Sequence, residues 1–284
     1  CHRPECVEVI RARKALFVLA GTGILVFGLF SIFVMLFEKN FLYHPTRDGN
    51  WNLPGTTSIP VEDVALQTSD NVRLHAWHAR SGNPRYTILW LHGNAGNITN
   101  RFPTMIDLVE THEVDVLLPD YRGYGKSEGS PSEEGFYRDA KAAYDHLIDR
   151  GVPPDKIIIL GISLGGGPAC DLASRVPSAG LILQSTFTNV PDMASRMFPV
   201  LPIKKLVRTQ FDNLAKIANI RVPKLLIHGR LDELVPFQMG EQLHDAAAEP
   251  KTALWLEGAD HNSIPQTHRN AWVEAYRQFL EELP

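Results

Sequence analysis

Ser163 stands in the run Gly161-Ile162-Ser163-Leu164-Gly165, with Gly166 and Gly167 directly behind it. A serine hydroxyl attacks a carbonyl only when a base removes its proton, and that base needs a carboxylate to orient it. Two later runs hold such groups. Gly229-Arg230-Leu231-Asp232-Glu233 offers Asp232 as the acid, with Glu233 as its rival. Glu257-Gly258-Ala259-Asp260-His261-Asn262 offers His261 as the base. The chain has 11 histidines, so one downstream of the serine is easily met by chance, and His228, His244 and His268 are the rivals. The oxyanion formed on attack needs two N–H donors. One is the backbone N–H of Leu164, next to the serine. The other is expected from the loop His92-Gly93-Asn94-Ala95-Gly96-Asn97, with the Asn94 N–H as the candidate. These glycines could instead cradle a phosphate, but the Walker pattern and its lysine are absent.

A G-x-S-x-G run carries chemistry only between a strand and a helix; elsewhere it is a common turn. Residues 157–160 are apolar throughout, and 165–175 read as a helix. The serine then sits on a cramped strand-to-helix turn for which the flanking glycines make room. Other strands are expected at 61–68, 72–79, 87–92, 114–119, 180–183, 224–228 and 253–256, and helices at 134–150, 238–247 and 269–283. Ile88-Leu89-Trp90-Leu91 and Ile157-Ile158-Ile159-Leu160 do not alternate, as befits parallel strands covered on both faces. The pattern predicts an α/β fold, a mostly parallel sheet of about eight strands with helices on both sides. The first two strands, joined by Ser69-Asp70-Asn71, read as a hairpin at one edge. Asp232 and His261 follow strands, so they share the C-terminal edge of the sheet with Ser163. His228 falls within or at the end of a strand, and His244 and His268 on helix surfaces.

Residues 187–221 form a small cap rather than a large lid domain. Its Met193, Met197, Phe198, Val200, Leu201 and Leu206 either line an acyl-binding wall or pack on the body. His75 and His78 lie three apart on a strand, face opposite sides and make no metal pair. Cys170 reads as a small packed residue in the helix after the serine.

Of the 284 residues, 44% are hydrophobic and 21% charged, which excludes a disordered chain. A net charge of −4 without a basic run gives no surface for nucleic acid, and three cysteines are too few for a disulfide scaffold. Residues 15–37 carry no charge, and only Thr22 and Ser31 are polar. As a helix they cross the roughly 30 Å hydrocarbon core. A secretory signal or a buried core helix is the alternative. A signal's apolar stretch spans about 7–15 residues and ends at small ones, whereas this one runs into Met35-Leu36-Phe37-Glu38-Lys39. The expectation is an uncleaved membrane anchor. Arg3, Arg11, Arg13 and Lys14 precede it and only Lys39 and Arg47 follow closely, which favours a cytoplasmic N-terminus with the main domain opposite. The division is then a basic tail (1–14), a transmembrane helix (15–37), an irregular connector (38–60) and a catalytic domain (61–284). Cys1 and Cys6 lie in the tail, where acylation is one reading and a bland role the other. The sequence opens without an initiator methionine, which leaves room for residues upstream.

Taken together, His92-Gly93, the run Asp120-Tyr121-Arg122-Gly123-Tyr124-Gly125-Lys126-Ser127-Glu128-Gly129, the serine run and the Asp232 and His261 loops resemble the α/β-hydrolase superfamily. With Phe41-Leu42-Tyr43-His44-Pro45 after the anchor, the chain resembles its membrane-anchored serine-hydrolase branch, similar to protein depalmitoylases and monoacylglycerol lipases. The resemblance implies hydrolysis of an ester or thioester in a lipid or acylated substrate, by Ser163, His261 and Asp232, with no metal or organic cofactor. It also implies that Asp120, Arg122 and Gly123 shape the loop beside the serine. One departure is Ile162, where relatives often carry a polar or larger residue. Two alternatives stand beside this reading: a serine peptidase of the same fold, and an inactive anchored scaffold, which would be expected to lack a catalytic residue. A histidine base with the ordinary pKa of about 6.5 predicts activity rising between roughly pH 6 and 8. A flat kcat/KM profile across that window would remove His261 from the role.

Overall fold

The unbroken apolar runs at 88–91 and 157–160, four residues each, need cover on both sides, and the fold supplies it. The computed structural model describes residues 4–199 and 202–283. Eight strands form one sheet: β1 (Val61–Gln67), β2 (Arg73–Ala79), β3 (Thr87–Leu91), β4 (Asp115–Pro119), β5 (Ile157–Ile162), β6 (Gly180–Gln184), β7 (Lys224–Gly229) and β8 (Lys251–Leu256). Their spatial order is β1-β2-β4-β3-β5-β6-β7-β8. β2 runs antiparallel to both its neighbours, making the expected edge hairpin, and all pairs from β4 to β8 are parallel.

Nine helices are described: α1 (Pro4–Leu42), α2 (Phe102–His112), α3 (Glu133–Asp149), α4 (Gly166–Ala173), α5 (Val190–Met197), α6 (Asn213–Ile217), α7 (Phe237–Ala246), α8 (Ile264–Thr267) and α9 (Arg269–Glu282). Successive residues of a strand point to opposite faces, and β5 shows the result. Ile157 and Ile159 join one core with Phe136, Ala169 and Leu243. Ile158 and Leu160 join the other, with Leu108, Trp272 and Phe279. Helices α3, α4 and α7 thus cover one face, and α2 and α9 the other.

Besides the short helices α5, α6 and α8, which the sequence pattern also did not suggest, two elements depart from it. α2 is a helix the sequence pattern did not suggest. Pro103 reads as a breaker but occupies the first turn, where proline's missing N–H costs nothing. α1 runs past the apolar stretch, through Glu38, Lys39 and Asn40, into the expected connector. Polarity there marks the end of the apolar surface and not of the hydrogen-bond ladder, which stops just ahead of Pro45. The segment Leu16–Leu42 holds an 18-residue stretch with a mean hydropathy of 2.4 and is long and apolar enough to cross a membrane. Cys1 and Arg3 of the tail, and Val200 and Leu201 of the cap, lie outside the described residues, as does the side chain of Cys6.

Arg122 ties the hairpin to the body. Its guanidinium forks onto Asp70 at 2.8 and 3.0 Å, while its Nε donates to Asp139 of α3 at 2.9 Å. His78, on β2, is fully buried, and burial pushes its pKa down to about 4, helped by the nearby charges of Arg80 and Arg150 and by His146. Asp115 lies 3.9 Å away but is already engaged by Arg80 and the Ser81 N–H. The unfolded chain binds a proton at this histidine near pH 6.5 and the folded chain does not. The stability His78 confers is therefore complete above pH 6.5 and lost as pH falls toward 4. Relative to a His78→Phe variant, the wild type should lose about 3 kcal/mol of unfolding free energy between pH 7 and 4. Denaturant titrations in detergent at the two pH values measure this, and parallel losses in both proteins would refute it.

Candidate active site

β5 ends in Ile162, and the next residue has to turn into a helix at once. Ser163 does so with φ +53°, in the left-handed region that few side chains adopt, and opens a tight helical turn, Ser163–Gly165, ahead of α4. The turn packs where no side chain fits. A Cβ on Gly165 would lie 2.0 Å from the Leu91 carbonyl oxygen, and one on Gly161 would lie 2.6 Å from Ala169 Cβ. Thr186 Oγ1 donates to the Ser163 carbonyl at 3.0 Å and fixes the turn from the β6 side. The hydroxyl of Ser163 is thereby held out, part-exposed, at the C-terminal edge of the sheet.

The loops after β7 and β8 converge on it. His261 Nε2 lies 3.0 Å from Ser163 Oγ, and His261 Nδ1 lies 2.7 Å from Asp232 Oδ2. The other carboxylate oxygen of Asp232 accepts from the Leu234 and Val235 N–H groups at 3.0 and 2.7 Å. Burial alone would raise the Asp232 pKa, but hydrogen bonds from His228 and His261 and from the Val235 N–H hold it well below the usual carboxylate range. The acid is ionised, so it accepts a hydrogen bond from His261 Nδ1–H, which leaves Nε2 as an acceptor facing the serine. The order serine, histidine, carboxylate is that of an activated nucleophile.

The rival residues stand elsewhere. His228 lies buried in β7, with Nε2 2.9 Å from the Val235 carbonyl and 3.3 Å from Asp232 Oδ2, so it touches the acid from behind. His244 packs against Trp255, and His268 Nε2 bonds the Glu257 carbonyl. Glu233 is exposed. The contact of His228 with Asp232 had one sequence signal: it stands four residues earlier, at a strand end. Among the described residues no group of three His, Cys, Asp or Glu side chains is set to hold a metal ion.

The loop after β3 lies against the serine turn: a Cβ on Gly93 would stand 3.5 Å from Ser163 Cβ. The Asn94 N–H has no protein acceptor among the described residues. Leu164, at the start of its helical turn, is where N–H groups lack intrahelical partners. The carboxamide of Asn94 is engaged with the end of α1. Nδ2 donates to the Leu42 carbonyl at 2.7 Å, and Oδ1 accepts from the His44 N–H at 2.9 Å and the Tyr124 hydroxyl at 2.8 Å. Nothing in the sequence signalled this link, whose partners are backbone groups. Glu38 of α1 makes a second one, accepting from the Arg208 and Thr209 N–H groups of the cap at 2.7–3.2 Å. Outside α1, the exposed large apolar side chains among the described residues are Met197, Phe198, Leu231 and Leu234, which lie on the cap and on the Asp232 loop.

The family model for the α/β hydrolase fold matches residues 86–202. An uncharacterised protein of Mycobacterium tuberculosis is 34% identical over 95% of this chain and 96% of its own length. The human α/β hydrolase domain-containing protein 17B is 35% identical over 84% of this chain and 80% of its own. Among solved structures, an esterase of Pyrococcus furiosus superposes with a TM-score of 0.70 at 25% identity, covering 85% of this chain and 98% of the esterase. On fold, site geometry and these matches, the chain is a hydrolase that belongs to the α/β-hydrolase family, in the branch of the α/β hydrolase domain-containing proteins.

Proposed function

We propose that this protein is a membrane-anchored serine hydrolase that cleaves the ester or thioester bond of a lipid or acylated substrate. The observation that carries the reading is the relay from Ser163 Oγ to His261 Nε2 at 3.0 Å and from His261 Nδ1 to Asp232 at 2.7 Å. Ser163 Oγ bonds to the acyl carbon as His261 Nε2 takes its proton. Asp232 stabilises the imidazolium, and the Leu164 and Asn94 N–H groups meet the charge on the carbonyl oxygen. The intermediate collapses as His261 returns the proton to the departing alcohol or thiol. A water, deprotonated by the same histidine, then attacks the acyl-serine, and the fatty acid leaves as Ser163 regains its proton.

The membrane part of the reading rests on α1. Its apolar window is long enough to span, and its C-terminal end bonds the Asn94 loop, at the same edge of the sheet as the serine. The four apolar side chains exposed on the cap and the Asp232 loop suit a rim that faces lipid or an acyl chain. The basic residues ahead of the span support a cytoplasmic N-terminus and a catalytic domain across the membrane. In sealed vesicles a C-terminal tag should resist protease added on the cytoplasmic side until detergent is present; digestion without detergent would reverse the orientation.

Labelling with a fluorophosphonate tests the chemistry. The detergent-solubilised wild type should label and Ser163→Ala should not. Turnover of aryl esters and acyl thioesters should fall by about 10⁴-fold or more in Ser163→Ala and His261→Ala, and by about 10⁴-fold in Asp232→Asn. A folded wild type that does not label would sink the reading in favour of an inactive scaffold. Faster cleavage of peptide amides than of esters would favour the peptidase.

A further inference from the structure

A peptide segment that leaves a membrane helix needs only to reach the domain it tethers. Here residues 42–49 are instead laced onto the loop 93–100 along its length. Asn94 bonds the Leu42 carbonyl and the His44 N–H with its two carboxamide atoms. Pro45 and Gly96 form a parallel bridge, and the Thr46 N–H reaches the Gly96 carbonyl at 3.4 Å. The buried Asn97 donates through Nδ2 to the carbonyls of Thr46 and Asp48 at 3.0 and 2.9 Å. Gly49 packs so closely that a Cβ there would lie 2.5 Å from Thr99 Oγ1. Tyr43 is buried against Phe136, with ring centroids 5.2 Å apart.

We propose that the exit of α1 is a working part of the active site: through the Asn94 carboxamide it positions the loop whose Asn94 N–H meets the oxyanion. This deepens, and rests on, the serine-hydrolase reading. The carboxamide touches no substrate; it is a positioning group acting through its own backbone. The Leu42 carbonyl ends a helix and has no intrahelical donor, so it needs a partner. Asn94 Nδ2 fills that need, and Oδ1 answers the next free N–H, that of His44. The same pair of bonds fixes how the Asn94 peptide plane is turned. Oxyanion donors act only within a few tenths of an ångström of their mark, and a displacement of about 1 Å costs roughly 10²-fold in rate. Binding of the acyl group does not depend on that N–H, so the effect belongs in kcat.

Two full-length variants in detergent test this. Asn94→Ala keeps the backbone N–H and deletes the clamp. Inserting Gly-Ser-Gly-Ser between Tyr43 and His44 keeps both the anchor and Asn94 but separates the two groups that the carboxamide bridges. In both, kcat for an aryl ester should fall about 30- to 100-fold with KM within about twofold of wild type. Hydrogen exchange in peptides covering 93–100 should quicken about tenfold or more, while 161–167 stays as in wild type. Wild-type kcat, or unchanged exchange at 93–100, would overturn the proposal, as would faster exchange throughout the domain in both variants. A wild type without turnover would fell the hydrolase reading and the catalytic role of the clamp with it, while the exchange measurement would still decide whether the carboxamide holds the loop.

Discussion

The arrangement depends on one close approach between two backbones. Where the serine turn crosses the end of β3, the Gly165 Cα stands so near the Leu91 carbonyl that no side chain fits between them. That contact brings the first turn after β5 against the loop after β3, and so sets Ser163 beside the peptide N–H groups that would meet an oxyanion formed on it. Parallel pairing of β3 with β5, Leu91 against Gly161, delivers the two strand ends in register. A wider separation would leave the serine exposed but its donors out of reach. The left-handed backbone of Ser163 is the cost of the sharp turn, roughly 1–3 kcal/mol for a non-glycine residue. The packing around Gly161, Gly165 and Thr186 holds it there.

Charge at the site is handled by the same economy of position. An ionised carboxylate buried without partners would be untenable. Asp232 is met by the Leu234 and Val235 N–H groups on one oxygen and by His261, with His228 behind, on the other. Because the carboxylate stays charged, one tautomer of His261 is selected and its ring is held toward the serine. His228 reaches both Asp232 and the Val235 carbonyl, so it braces the loop as well as the acid. The two histidines thus stand differently: His261 lies between Asp232 and Ser163, and His228 braces Asp232 from behind.

The sheet was largely legible in the sequence, because β3 and β5 are buried on both faces and read as unbroken apolar runs. The convergence of Ser163, Asp232 and His261 was legible for a related reason. Each lies directly after a strand whose end is marked by glycine or by a change in hydropathy, so topology alone brings them to one edge. What escaped was of two kinds. α2 and the last turn of α1 were hidden where proline or polarity mimics a helix end, since hydropathy reports the solvent and not the hydrogen-bond ladder. The Asn94 clamp and the grip of Glu38 on the cap were hidden because their partners are backbone groups far along the chain. Backbone acceptors carry no residue signature, so no pattern of side chains points to them.

If α1 spans a membrane as proposed, its foot sets the level of the site relative to the bilayer. Leu16–Leu42 as a helix is about 40 Å long, some 10 Å more than the hydrocarbon core. Glu38 bonds the cap N–H groups and Tyr43 is buried in the domain, so the end of α1 is tied to the protein, while Phe41 stays exposed. With α1 in a membrane, the hydrocarbon boundary then falls near Phe37, about one helical turn above the Asn94 clamp. The loops that carry Ser163, His261 and the exposed Leu231 and Leu234 lie at the edge from which α1 departs, close to headgroup level. A carbonyl joining an acyl chain to a polar group lies at that same depth, with its chain in hydrocarbon and its leaving group in water. A short rigid exit suits such a substrate better than a long flexible tether, because it holds the serine at the depth where the bond lies. The lacing of residues 42–49 supplies that short exit, and under the proposed membrane reading a small cap suffices, because the bilayer would shelter an acyl chain.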